Sequence, residues 1–485
     1  MSDKAAWLRN PLAWCVIAFS VIHLLYIGRY SYWYDELYSV SGASETSVSN
    51  WFRVWFLGDV HPPLFGFLLY WYVEMFGSSE FATRALAWFF VTSAAFWLAL
   101  DRRSGLSARE RWLAAAFLAA SPSAFVYSQE ARSYGLLIFS GALMHVSFLE
   151  SVRVGRPTWF FLIAALIGSS VHLFGVIYAG WLIAILLFQA LAGRNWRDCA
   201  WLVGTGILCL FWVALLISFG DALNYAGGHH SIRWSWHVPI DISSKLGAVT
   251  TALLLLVLLV SLRKDIGSYI RENAFTLIAI GGLFASTALV SFHTPIIQGR
   301  NYLVALPAIS VLIAGLAELL LIRSSRLATG RTYLAVIAVL VVAYGIEDTL
   351  WMHYRKWGPS ENYRGAVEYI VSHASPGRET EVAVVSASEE IDVQTRAPET
   401  ERVRIADTYY FRDLAGDDRI CLTFLSPQDL VGPAPHVDYI MSVHHMDEIA
   451  KVRALTRNRP EYREIPIRNN NSGATLLLAV SQTQR

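Results

Sequence analysis

Apolar runs constrain this chain more than any other feature of its sequence. They recur from near the N-terminus to about residue 347, near 12–29, 81–100, 110–127, 133–150, 158–172, 174–191, 200–219, 246–262, 274–292, 302–322 and 331–347. A helix needs roughly 20 predominantly apolar residues to cross the hydrocarbon core of a bilayer. The expected architecture is therefore an all-α polytopic membrane domain of about eleven transmembrane helices. Charge agrees with that reading. Only 16% of the 485 residues are charged, where a soluble protein carries about a quarter. The opening "MSDKAAWLRNPLAW" resembles a signal anchor, because no small-residue cleavage site follows its apolar run.

One stretch fails the length test. Residues 64–76 are apolar and aromatic but number only about a dozen, include Glu74 and follow Pro62 and Pro63. They fit an amphipathic helix lying in the membrane interface. The distribution of basic residues decides between lying and crossing. If 64–76 does not cross, then Lys4, Arg9, "DRRSGLSARER", "SVRVGRP", "GRNWRD", "RKDIGSYIREN" and "IRSSRLATGR" all fall on one face. Lys and Arg mark the cytoplasmic face, so the N-terminus is expected inside.

That topology gathers the unusual polar residues on the extracytoplasmic face: "YDE" with Asp35 and Glu36, His61, "YSQEARSY", His172, "HHSIRWSWH" and "FHTPIIQGRNY". The tail beyond residue 350 has no run long enough to span. "NYRGAVEYIVSHA" has helical apolar spacing, and "EVAVVSA", "RICLTFL", "VDYIMSV" and "TLLLAV" have the composition of short buried strands. The expected division is a membrane domain over 1–350 and an extracytoplasmic α/β domain over 351–485.

Each candidate residue has a plain structural reading and a chemical one. Asp35 and Glu36 suit a helix N-terminus. Flanked by Tyr32, Trp33, Tyr34 and Tyr38, they also suit proton abstraction, since partial burial raises a carboxylate's pKa. The prolines of "HPPL" fix a turn, while His61 is a candidate donor or metal ligand. Glu130 and Arg132 interrupt apolar sequence, where ionisable groups are costly; Arg132 can pair with phosphate in bidentate fashion. Arg300 stands at the mouth of a span, either as an interfacial anchor or as a phosphate clamp. His172, His229, His230 and Arg233 are less specific. The four cysteines show neither metal-ligand spacing nor a disulfide framework.

In this order the motifs resemble the GT-C glycosyltransferases. More narrowly, they resemble the bacterial branch related to protein O-mannosyltransferases and to lipid A aminoarabinose and galacturonic acid transferases. The matching pieces are "YDE" after the first span, "HPPL" opening an amphipathic helix, "EARSY" between the third and fourth spans, "GRNYLVALP" late in the membrane domain and "NYRGAVEYI" opening the tail. The resemblance implies an inverting transferase that takes a sugar from a polyprenyl phosphate. Its acceptor would be lipid A, polysaccharide or protein, on the outer face of the bacterial inner membrane. It implies Asp35 as general base with Glu36 beside it. It places Glu130 near the acceptor or a cation and Arg300 near the donor phosphate; His61, Arg132, Tyr134, His172 and Tyr302 are the further candidates for binding the substrates. Some members bind a divalent cation, for which Glu36, His61 and Glu130 are the candidate ligands here. A transporter or flippase of lipid-linked sugars is the rival class, and it would more often show repeated halves.

Overall fold

The computed structural model describes residues 10–45, 47–56, 61–218, 266–292, 296–323, 345, 362–374, 378–385, 409–411, 420–443, 446–467 and 475–481. The span expected near 246–262, most of that near 331–347, and "HHSIRWSWH" lie outside these residues. The chain divides into two compact units. The first comprises Met1–Ile27, Phe56–Leu69 and Arg84–Leu350, and the second Gly28–Trp55, Tyr70–Thr83 and Trp351–Arg485. Residues 28–55 and 70–83, which follow the first apolar helix, thus group with the tail, while 56–69 group with the helical unit.

The first unit is helical. It contains α1 (Pro11–Tyr26), and the chain continues through α2 (Tyr34–Ala43) of the second unit to α3 (Leu64–Phe76) and α4 (Glu80–Leu100), which both units share. Then follow α5 (Ala108–Ala120), α6 (Pro122–Ser128), α7 (Tyr134–Val154), α8 (Trp159–Val171), α9 (Leu173–Ala192), α10 (Trp196–Ser218), α11 (Ile266–Glu272), α12 (Ala274–Ser291) and α13 (Leu306–Arg323). A 3₁₀ segment, Gly299–Ala305, leads into α13. Among the described residues, six helices are long and apolar enough to span: Glu80–Leu100, Tyr134–Val154, Leu173–Ala192, Trp196–Leu215, Ala274–Ser291 and Gly299–Leu319. Pro11–Tyr26, Leu64–Phe76 and Trp159–Val171 are apolar but shorter.

Local chemistry sets the boundaries. Asn10 caps α1 by accepting the Leu12 N–H at 3.1 Å, with Pro11 at the first helical position. The apolar run near 110–127 is two helices, not one. Pro122 lacks the N–H that would continue α5, and Ser121 caps α6 by accepting from the Ala124 N–H at 3.1 Å. Hydroxyls inside α7 turn back on their own helix: Ser140 donates to the Leu137 carbonyl at 2.9 Å and Ser147 to that of Leu143 at 2.7 Å. Such back-bonding satisfies polar groups where no water is available. The helix α3 has 13 residues, about 20 Å at 1.5 Å per residue. Its exposed side carries Phe67, Trp71, Met75 and Phe76, and its buried side Phe65, Leu69 and Tyr70.

The second unit is built on a five-stranded mixed sheet of order β2-β1-β3-β5-β4. The strands are β1 (Thr380–Val385), β2 (Ile420–Leu425), β3 (Tyr439–Val443), β4 (Tyr462–Glu464) and β5 (Thr475–Val480). β1 runs parallel to β2 and β3, while β5 runs antiparallel to β3 and β4. One face packs Ala383, Val385, Ile440, Leu476 and Leu478 against Ile449 and Val452 of α15 (Met446–Thr456). On the other, α14 (Tyr363–His373) contacts β3 and β5 and buries Ala366, Val367 and Ile370. With both faces covered, β1 has a continuous apolar run and not an alternating one. Four strands were legible as apolar runs. The three-residue edge strand β4 and the helix α15 were not, because neither has a long apolar signal.

Candidate phosphate-binding site

His61, Glu130, Arg132, Tyr134, His172, Arg300 and Tyr302 all belong to the first unit, and Asp35 and Glu36 to the second. The first unit brings most of its set together around His172. This residue is the only one between α8 and α9. Its backbone is extended (φ −161°, ψ 148°), and its ring caps α9, accepting the Phe174 N–H at Nδ1 over 3.1 Å. An accepting Nδ1 on a neutral ring puts the proton on Nε2. Burial holds the ring neutral, its pKa well below the ordinary histidine range, and the neighbouring His61, Arg300 and Arg132 push the same way. The Nε2 atom is buried and makes no hydrogen bond among the described residues. It is an N–H donor beside the Arg300 and Arg132 guanidinium groups, with no acceptor among the described residues.

Aromatic packing positions the rest. His61 sits edge-on to His172 with ring centroids 4.7 Å apart. Tyr134, at the first position of α7, lies 6.1 Å from the His172 ring and 5.0 Å from that of Tyr127. The Arg300 guanidinium stands over the Tyr134 ring at 5.4 Å and donates from Nε to Gln298 Oε1 at 2.7 Å. Tyr302, two residues on, stacks on Phe284 at 4.4 Å, meets Phe174 edge-on at 5.3 Å and shares a 2.8 Å hydrogen bond with the Thr287 hydroxyl. The 3₁₀ segment that carries Arg300 packs against α7 because residue 141 is glycine. A Cβ at Gly141 would lie 2.2 Å from the Val304 carbonyl oxygen.

Glu130 and Arg132 occupy the turn between α6 and α7, with side chains buried to 2% and 9% exposure. The Arg132 N–H donates to the Glu130 carbonyl at 2.8 Å, and neighbouring Gln129 anchors the turn through Nε2 on the His23 carbonyl at 2.8 Å. The donors of this cluster, two guanidinium groups and an imidazole N–H, have the chemistry to hold phosphate oxygens.

Asp35 and Glu36 open α2. Glu36 is 1% exposed, and its Oε2 accepts the Trp33 N–H at 3.3 Å. It caps its own helix in the reciprocal manner of a capping-box acid. Asp35, one residue earlier, is half-buried. Among the described residues no three His, Cys, Asp or Glu side chains come together in a group that could hold a metal ion.

No protein-family model matches the sequence, and no curated protein matches it. Solved structures do. ArnT from Cupriavidus metallidurans, bound to undecaprenyl phosphate, superposes with a TM-score of 0.60 at 12% identity, covering 99% of both chains. The apo state of the same protein gives 0.60 at 13% identity over 99% of both chains. The oligosaccharyltransferase AglB from Archaeoglobus fulgidus aligns with all of this chain and 75% of its own, at 11% identity and a TM-score of 0.49. At such identity the likeness to ArnT speaks for the fold, over essentially the full length of both chains. The chain has the GT-C fold that its sequence motifs resemble.

Proposed function

We propose that this chain is an inverting glycosyltransferase that moves a sugar from a polyprenyl phosphate to an envelope acceptor on the periplasmic face of the inner membrane. The observation that carries the reading is the buried, neutral His172, with an unused N–H donor beside Arg300, Arg132 and His61. A buried donor with no acceptor among the described residues, beside two guanidinium groups, is the arrangement an anionic headgroup satisfies. ArnT, the protein with the matching fold, was solved with undecaprenyl phosphate.

In this reading the cluster holds the donor phosphate while the lipid tail stays in the bilayer. Asp35 takes the proton from an acceptor hydroxyl, and that oxygen attacks the anomeric carbon. The bond to the phosphate oxygen breaks, and the lipid phosphate leaves with the charge that Arg300 and the His172 N–H stabilise. Transfer at the anomeric carbon in one displacement inverts it. Lipid A, polysaccharide and protein hydroxyls remain equivalent acceptors here.

Reconstituted protein, given a labelled polyprenyl-phosphate sugar and a crude envelope fraction, tests the reading. Label appearing on an acceptor supports it. Label that crosses the bilayer still attached to its lipid supports a flippase and overturns it.

A further inference from the structure

Tyr410 lies far along the sequence from the first outer loop, yet its hydroxyl is the centre of that loop's attachment. It accepts the Tyr32 N–H at 2.7 Å, lies 3.3 Å from Ser31 Oγ and donates to Glu80. Glu80 is in turn paired with the guanidinium of Arg364, and the Arg364 backbone N–H donates to Ser31 Oγ at 3.3 Å. Tyr32 is fully buried, and its phenol reaches the Ser78 carbonyl at 2.9 Å and the Thr83 hydroxyl at 2.6 Å. The Ser78 carbonyl also accepts the Tyr409 hydroxyl at 2.7 Å. All these residues belong to the second compact unit.

We infer that Tyr410, Glu80 and Arg364 form an anchor by which the C-terminal domain fixes the register of Ser31–Tyr32, and so the place of Asp35 three residues on. The inference rests on the reading of Asp35 as base, and it makes Tyr410 a positioning residue. A phenol has one proton and two lone pairs; here the proton goes to Glu80, one lone pair takes the Tyr32 N–H, and the other faces the Ser31 hydroxyl, whose proton it shares with the Tyr32 carbonyl. Slipping the loop by one residue would leave a buried N–H and the Tyr410 hydroxyl unmatched. The anchor is not a switch at physiological pH. Burial, and then the charge of Glu80, push Tyr410 well above the ordinary phenol range, so it stays a donor. The segment it holds leads straight into α2, whose second residue is Asp35. The donor cluster around His172 lies in the other unit, so loss of the anchor should slow chemistry more than it weakens donor binding.

The test uses the full-length protein in nanodiscs, as wild type, Tyr410→Phe and Glu80→Gln. Hydrogen exchange is read at the Tyr32 amide, with kcat and donor KM measured on the same samples. Tyr410→Phe should speed Tyr32 exchange roughly tenfold and lower kcat roughly 10- to 100-fold, with donor KM unchanged. Exchange in β1, β3 and β5 should stay at the wild-type rate, which separates a lost anchor from an unfolded tail. Glu80→Gln keeps an acceptor for Tyr410 and should lie between the two; it decides the matter if Tyr410→Phe does not fold. Wild-type exchange at Tyr32 in both variants overturns the anchor, and so does an equal rise in KM. If the wild type transfers no sugar, the transferase reading falls, and the Tyr32 amide alone then supports or overturns the attachment.

Discussion

Around His172 the polar atoms are held by apolar packing: one backbone N–H fixes the ring, and His61, Tyr134 and Phe174 surround it. Around Tyr32 the position is set by a closed set of hydrogen bonds, with Tyr410, Thr83, Ser78, Glu80 and Arg364 each answering another group. The first arrangement leaves a donor over, and the second leaves none at the Tyr410 hydroxyl. A buried polar group with nothing to bond costs free energy unless a ligand supplies its partner. The difference separates a place built to receive something from a place built to stay as it is. In the proposed reading the first serves the substrate and the second alignment.

The largest effect expected is all-or-none. Cys421 is exposed, while Cys15, Cys199 and Cys209 are buried. A membrane-impermeant maleimide should label Cys421 in intact spheroplasts. Labelling only after permeabilisation would put the tail, and with it the anchor, on the cytoplasmic side.

Next in size is Asp35→Asn, which removes the proton acceptor and keeps the shape. Loss of a general base costs about 10²–10⁴ in rate, and the thermal midpoint should not move. Normal turnover in this variant, alongside a dead Glu130→Gln, would transfer the role of base to the turn between α6 and α7. Arg300→Ala should lower kcat/KM for the donor roughly 10- to 100-fold, the worth of a charge-assisted hydrogen bond. Arg300→Lys should fall between the two, because an ammonium group cannot reproduce the guanidinium fork. Equal, wild-type kinetics in both variants would make Arg300 an interfacial anchor only.

The smallest effect belongs to Glu36. Because its carboxylate caps α2, Glu36→Ala should cost about 1 kcal/mol of stability, the usual worth of a cap. Glu36→Gln retains an acceptor and should cost less. A thermal midpoint unchanged in Glu36→Ala, with turnover abolished, would make it a partner in the chemistry and blur the contrast between the two units.

The membrane helices were legible because a run of roughly 20 apolar residues is most simply buried on every side by a bilayer. The break at Ser121–Pro122 was also present in the sequence, as a cap followed by a proline inside an apolar run. His172 carried a fainter signal: a single polar residue between two apolar segments, which by itself says nothing about tautomer or neighbours. The anchor had no local signal at all. Ser31 and Tyr410 are 379 residues apart, and no motif links Glu80 to Arg364. That residues 28–55 and 70–83 group with the tail was hidden for the same reason. Ser31, Tyr32 and Glu80 are adjacent in sequence to apolar helices, but they bond to Tyr410 and Arg364 in the tail.

The central claim is that the His172 cluster receives a lipid-linked phosphate, and binding tests it most directly. Purified protein in nanodiscs is titrated with undecaprenyl phosphate, as wild type, His172→Phe and Asp35→Asn, and the affinity is read by native mass spectrometry. His172→Phe keeps the ring's bulk and removes the donor. It should weaken binding roughly tenfold or more, while Asp35→Asn binds as the wild type does. Equal affinity in all three proteins would contradict the account.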